Sequence, residues 1–186
     1  MNKLYSGKAL IPNKQIIIEN TNYCGAQCIM CPRDKVRYKW EHMEMNLFKK
    51  AFDEAVEAGI SSLTIGGFGD CFMDPRLEDK LAYAKKQCPK IKVLSSNTCH
   101  LIKGKNLKLL SDYIDTFKIS MYGMSKSVYE KVHGGALKFE EVMENINNVI
   151  ALPVGRRPYL IMQYLVLPEN SNELKKWKEC WESKVD

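Results

Sequence analysis

The chain has 186 residues, 45% hydrophobic and 27% charged, which is enough to bury one sizeable core and short for two. Its net charge of +6 is modest, and acidic residues are interspersed among the basic ones, which argues against a dedicated nucleic-acid face and leaves room for an anionic small substrate. No apolar run approaches the roughly 20 residues that span a bilayer, and the first residues lack the apolar stretch of a signal peptide, so a cytoplasmic location is expected. Seven cysteines, an odd number spread over the whole length, fit a reducing compartment better than a disulfide-stapled scaffold.

Short β-branched runs alternate with longer amphipathic stretches. Residues 1–15 read as an N-terminal extension and residues 16–186 as one core domain. Ile16 to Glu19 is the first expected strand. Beyond a cysteine-rich loop, Asn46 is placed to cap a helix whose Phe48, Ala51, Phe52, Ala55 and Val56 follow helical spacing, with Gly59 as its stop. Ser61 to Ile65 is the second strand, and Asp74 with Pro75 gives an N-cap and first turn to a helix carrying Leu77, Leu81 and Ala84. Ile91 to Ser95 is the third strand, followed by a short helix around Leu107 to Leu110. Thr116 to Met121 is the fourth, and the helix Phe139 to Ile150 follows it with Phe139, Val142, Met143, Ile146 and Ile150 on one face. Tyr159 to Val166 is the fifth strand. The last helix runs from Asn170 or Ser171 to Trp181, with Asn170 and Glu173 at capping-box spacing. Five strand-helix repeats predict an α/β fold with a parallel sheet and helices outside.

In such sheets ligands gather at the carboxyl ends of the strands. After the first strand, the run Cys24-Gly25-Ala26-Gln27-Cys28-Ile29-Met30-Cys31 packs three thiols into eight residues. Their proximity points to a metal or to catalysis. Gaps of three and then two residues let one loop wrap a cuboidal cluster and hold three of its irons, where four cysteines are the norm. The missing ligand leaves one iron open, as in a catalytic metal site. The same thiols also suit a structural zinc site completed by His42 or a distant cysteine. After the second strand comes Gly66-Gly67-Phe68-Gly69-Asp70-Cys71, after the third Ser96-Asn97-Thr98-Cys99, and after the fourth Ser120-Met121-Tyr122. A glycine-rich turn there lets backbone approach a ligand and offer bare N–H and C=O groups.

With these residues assembled, the chain resembles the radical S-adenosylmethionine (SAM) superfamily, whose signature places three such cysteines after the first strand of a TIM-type barrel. The resemblance implies that Cys24, Cys28 and Cys31 bind a [4Fe-4S] cluster, and that Met30 packs beside the adenine of SAM. Gly66, Gly67, Phe68, Gly69 and Asp70 resemble the family's glycine-glycine-glutamate segment, which binds the SAM amino group mainly through backbone carbonyls. Asp70 stands where the glutamate is usual, and Cys71 replaces the usual proline. Asn97 and Ser120 match polar positions that reach the methionyl or ribose part of SAM, and Gln163 on strand five is assigned to the same group if it faces inward. The wording around the cysteines is most similar to the SPASM or twitch subgroup, without its C-terminal extension. The implied activity is reductive cleavage of SAM to a 5'-deoxyadenosyl radical that takes hydrogen from a small-molecule or peptide substrate, with a flavodoxin or ferredoxin as reductant.

The resembling core has six strand-helix units where five are visible, so the expected fold is a partial, open TIM-type barrel. Strand five then needs a partner or a further segment to cover its edge. Cys71 and Cys99, each after a strand, are candidate hydrogen donors to a substrate radical, whereas Cys88 and Cys180 read as packing residues. Arg33, Lys35, Arg37 and Lys39 could hold an anion beside the site or form a solvated face, and Arg156 and Arg157 carry the same two readings. His133, before Gly134-Gly135, reads as a helix-end residue with no assigned chemistry.

Overall fold

Alternating apolar positions build five strands: β1 (Gln15–Ile18), β2 (Ser62–Ile65), β3 (Lys92–Asn97), β4 (Thr116–Ser120) and β5 (Tyr159–Gln163). The computed structural model describes residues 14–36 and 39–186, so most of the expected N-terminal extension, and Arg37, lie outside the described residues. Every pairing is parallel and the order is β1-β2-β3-β4-β5, which leaves β1 and β5 as edges of an unclosed sheet. The crossovers are helical: α1 (Met45–Glu57), α2 (Leu77–Gln87), α3 (Lys105–Tyr113), then α4 (Lys126–Val132) and α5 (Phe139–Ile150) between β4 and β5, with α6 (Leu174–Trp181) last. This is the expected open TIM-type barrel. No helix among the described residues is long and apolar enough to cross a membrane.

Strand alternation separates two faces. Leu63, Ile65, Val93, Phe117, Ile119 and Leu160 point toward the helices and are fully buried. Between them, Ile17 and Tyr159 on the inner face are 67% and 54% exposed. Register aligns Ile17, Thr64, Leu94, Thr116 and Tyr159 in one inner row, and Ser96, Lys118 and Ile161 in the next. Gln163, beyond buried Met162, therefore faces inward.

Several expected caps differ. Helix α1 starts at Met45 after Glu44, which puts Asn46 inside its first turn. Asp74 does not cap α2, whose N-cap is Arg76. Instead Asp74 Oδ1 accepts the Arg76 N–H at 2.9 Å, and Oδ2 accepts from Lys80 Nζ at 2.6 Å and Asn20 Nδ2 at 2.8 Å. Lys80 Nζ also donates to the Met43 carbonyl at 2.6 Å, so a fully buried ion pair joins α2 to the segments flanking the cysteine loop. Helix α4 is short and largely polar, and its C-cap is His133, the residue expected to end a helix there. Ser125 Oγ caps it by accepting the Val128 N–H.

The expected capping box of the last helix is also absent. Glu173 bonds the Met124 N–H and Ser125 Oγ, both at 2.6 Å, while Asn170 Nδ2 donates to the carbonyls of Tyr122 and Leu165. Both side chains thus stitch the β4–α4 loop to the segment after β5, which ends at Gln163 rather than Val166. At the β5 edge, Asp186 N–H donates to the Leu160 carbonyl and its carboxylate accepts from the Leu160 N–H and Arg157.

Two contacts fix the cysteine loop. Asn20 to Asn22 run antiparallel to Glu41 to Met43, with Met43 N–H on the Asn20 carbonyl at 2.8 Å, and Asn22 Nδ2 on the Lys39 carbonyl at 2.7 Å. On the far side, the end of α4 receives the loop: Gln27 N–H donates to the His133 carbonyl and Ile29 N–H to the Val132 carbonyl at 3.0 Å. Gly134, at φ +70°, lies against this junction, and a Cβ there would sit 2.1 Å from the Gln27 carbonyl oxygen.

These supports can be probed by their contribution to stability. Lys80→Ala strands a buried carboxylate and is expected to cost about 3–5 kcal/mol in urea denaturation. Lys92→Ala, which removes an exposed partner of Asp115, should cost less than about 1 kcal/mol, and equal losses would contradict the role of the buried pair. Gly135, at φ +75° with no atom within 4 Å of a built Cβ, gives a matched control for Gly134. Gly135→Ala carries only backbone strain of roughly 1–2 kcal/mol, whereas Gly134→Ala must add the clash and unfold at lower denaturant.

Candidate functional site

At the carboxyl ends of the strands lies a cleft of about 480 Å³. Cys24, Cys28, Met30 and Cys31 form one wall and Gly66 to Asp70 another, while Ser96, Asn97, Thr98, Ser120 and Tyr122 close it from β3 and β4. The structure therefore gathers onto one cleft the cysteines, Met30, the glycine turn, Asn97 and Ser120, all singled out in the sequence. Gln163 is not among the lining residues. Its Oε1 accepts from Ser96 Oγ at 3.1 Å, which orients a side chain that does line the cleft.

The three thiols are free and half-buried. Their loop is braced from within by Arg33, itself buried, whose guanidinium donates to the carbonyls of Cys24 at 3.2 Å and Ala26 at 2.7 Å and packs over the Trp40 ring. Arg33 is thus an internal clamp of the loop. Burial raises the Cys24 thiol pKa, partly offset by the Ala26 N–H and Arg33. Burial and then the neighbouring Cys24 and Cys31 push Cys28 up to about 12. Burial thus disfavours ionisation of Cys24 and Cys28, a cost that a bound cationic metal centre would relieve.

The kind of metal centre is constrained by spacing. Among the described residues, no three His, Cys, Asp or Glu side chains converge where a single ion could bind all of them. His42, the further ligand expected of a zinc site, packs on Tyr23 with ring centroids 4.7 Å apart. A polynuclear cluster takes each thiolate on a different iron and needs no common point. The residues present fit that group.

The glycine turn is held from below by Glu19, a residue with no role expected from sequence. Glu19 Oε1 accepts the N–H groups of Phe68 at 2.6 Å and Gly69 at 3.2 Å, while Gly66 N–H goes to the Ile18 carbonyl and Asp70 N–H to the Tyr23 carbonyl. These four donors are committed within the protein, which corrects the expectation of bare N–H groups at those four positions. Gly69 is required by close approach, since a Cβ would lie 2.0 Å from the Thr21 carbonyl oxygen.

Behind the turn lies a polar cluster. Asp70 Oδ1 accepts from the Phe72 N–H at 2.9 Å and from Asn97 Nδ2 at 2.5 Å, and Asn97 Oδ1 accepts the Cys99 N–H at 2.6 Å. Both ends of the Asn97 amide are thereby engaged within the protein. Asp70 Oδ2 sits 3.3 Å from His100 Nδ1, but that nitrogen is bonded to Thr98 Oγ1 at 2.8 Å, and Oδ2 has no hydrogen-bond partner among the described residues. Burial raises the Asp70 pKa against the pull of His100, the Phe72 N–H and Asn97. Burial likewise lowers that of His100.

Cys71 and Cys99 are buried and do not line the cleft, so the candidate hydrogen donors are placed in packing positions. Cys71 Sγ meets Ser95 Oγ at 3.2 Å instead. Cys88 and Cys180 pack at the core's margin, as expected. Arg156 and Arg157 stand before β5, at the opposite end from the cleft, paired with Asp112 and Asp186. Lys39 pairs with Glu41. His133, assigned no chemistry from sequence, places Nδ1 3.1 Å from the Cys28 sulfur. Burial and His100 lower its pKa to about 4.

Comparison with known proteins fits this architecture. Among solved structures, BtrN in complex with AdoMet and 2-DOIA superposes with TM-score 0.64 at 15% identity, covering 88% of this chain and 62% of BtrN. TYW1 with a lysine-pyruvate adduct gives TM-score 0.64 at 15% identity, covering 91% and 61%. Histidine-tagged anSMEcpe with bound AdoMet gives 0.73 at 15% identity, covering 91% and 46%. The chain thus spans less than two thirds of each of these structures, and the likeness is one of fold. No curated protein matches the chain. A family model described as the radical SAM superfamily matches residues 18–179, and the chain belongs to that superfamily.

Proposed function

We propose that this protein is a radical SAM enzyme in which Cys24, Cys28 and Cys31 hold a [4Fe-4S] cluster and the adjoining cleft binds SAM. The observation that carries the reading is the meeting of three free thiols and a glycine turn on one cleft at the carboxyl ends of the strands, with no fourth cysteine on that cleft among the described residues. AdoMet, which is SAM, is bound in the BtrN and anSMEcpe structures of the same fold. When bound, a cluster with one open iron supplies one-electron cleavage of SAM to a 5'-deoxyadenosyl radical that abstracts hydrogen from substrate.

The chain's own residues position and shield. With the N–H groups of Gly66, Phe68, Gly69 and Asp70 engaged, the turn presents carbonyl oxygens suited to the ammonium group of SAM. Met30, on the thiol wall, offers an apolar surface for the adenine. Ser120, whose Oγ accepts from the Tyr122 hydroxyl at 3.1 Å, and Asn97 line the cleft where the ribose or methionyl part would lie. The substrate, a small molecule or peptide, approaches over the inner face of the sheet, and a flavodoxin or ferredoxin in a reducing cytoplasm supplies the electron.

Anaerobic reconstitution with iron and sulfide is expected to give roughly four iron and four sulfide per chain. Addition of dithionite and SAM should then yield 5'-deoxyadenosine and methionine. Alanine at Cys24, Cys28 or Cys31 should reduce iron content and abolish the product, whereas Cys71→Ala should retain the iron. A single zinc per chain, or an intact cluster that leaves SAM uncleaved, would contradict the proposal.

A further inference from the structure

His133 and Cys28 are 105 residues apart in sequence, yet His133 Nδ1 lies 3.1 Å from the Cys28 sulfur. The ring is fully buried. It stacks on Tyr122, with centroids 5.5 Å apart and planes 7° apart, and packs against Tyr129 at 4.3 Å. Its backbone is held on both sides, with its N–H on the Tyr129 carbonyl at 3.0 Å and its carbonyl accepting the Gln27 N–H at 3.3 Å. The imidazole and the cysteine loop therefore meet through a fixed junction rather than a chance rotamer.

The direction of the hydrogen bond follows from chemistry. A cysteine sulfur that ligates iron has lost its proton and can only accept. In that state the shared hydrogen must belong to His133 Nδ1. Nε2 is then the bare nitrogen of a neutral ring, and it is the ring atom without a hydrogen-bond partner among the described residues. Cys28 also lines the cleft, so one residue both meets the imidazole and faces the space proposed for the cluster.

We propose that His133 is a tuning residue that donates a hydrogen bond to the Cys28 thiolate and so raises the reduction potential of the bound cluster. The proposal rests on the assignment of Cys24, Cys28 and Cys31 as cluster ligands. A donor at a cluster sulfur draws negative charge from the thiolate and favours the reduced state, which carries one more electron. Proteins set cluster potentials largely through such hydrogen bonds and through burial. Here Tyr122 and Tyr129 exclude water from the ring, which strengthens the effect of a single donor.

The test is a potentiometric titration of reconstituted protein monitored by EPR, with iron and sulfide measured first. His133→Phe keeps an aromatic plane without a donor and is expected to shift the midpoint to more negative potential. His133→Asn places an amide N–H near the Nδ1 position and should recover most of the shift. Pulsed EPR on wild-type protein carrying ¹⁵N-histidine gives a readout free of substitution, and a weak nitrogen coupling to the reduced cluster is expected. A fully loaded Phe variant with an unchanged midpoint, or no nitrogen coupling in the wild type, overturns the proposal while leaving the cluster assignment intact. Failure of wild-type protein to assemble a four-iron cluster overturns both.

Discussion

Holding three sulfurs at the edge of one cleft is the constraint on which the rest of this structure depends. Thiolates that share a small, half-buried space repel one another, and burial disfavours the ionisation of Cys24 and Cys28. A flexible loop would relieve that conflict by spreading apart. Here the loop is closed at its base by the antiparallel clasp of Asn20 to Asn22 with Glu41 to Met43, braced inside by Arg33, and received at its tip by the end of α4. The arrangement of the thiols is thus set by the fold, and the metal centre proposed here would supply the charge.

The same bracing extends to the facing wall. Glu19 holds the glycine turn by its N–H groups, Gly69 lets that turn press against Thr21, and Asp70 N–H ties it to Tyr23 at the root of the cysteine loop. Underneath, Asn20, Asp74 and Lys80 join the end of β1, the turn before α2 and the Met43 carbonyl into one buried polar network. The network ties the segments behind the two walls of the cleft together, although Asn20 Oδ1 has no hydrogen-bond partner among the described residues. The cleft's position at the carboxyl ends of parallel strands is where the strands' own geometry leaves a crevice.

What sequence reveals about this protein divides by range. The strands and the longer helices could be read because hydrophobic periodicity is local, and the cysteine loop because its three thiols lie within eight residues. The cap residues misled for the opposite reason. Asn170, Glu173 and Asp74 have the right chemistry at the right spacing, but partners distant in sequence, Asn20 in the case of Asp74, recruit their side chains. Glu19 and His133 carried no local signal: one acts on a turn about 50 residues away and the other on a sulfur 105 residues away. Cys71 and Cys99 show the converse, since their place after a strand suggested the cleft while the fold turns both into the core.

In the proposed site, three thiols leave one iron of a cluster open to SAM beside the glycine turn. Pulsed EPR of the reduced, reconstituted protein with SAM carrying ¹⁵N in its amino group and ¹⁷O in its carboxylate tests this directly. Strong couplings from both labels, present in wild-type protein and lost when unlabelled SAM replaces the labelled form, are the predicted result. A reduced cluster whose spectrum is unchanged by saturating labelled SAM would contradict that arrangement.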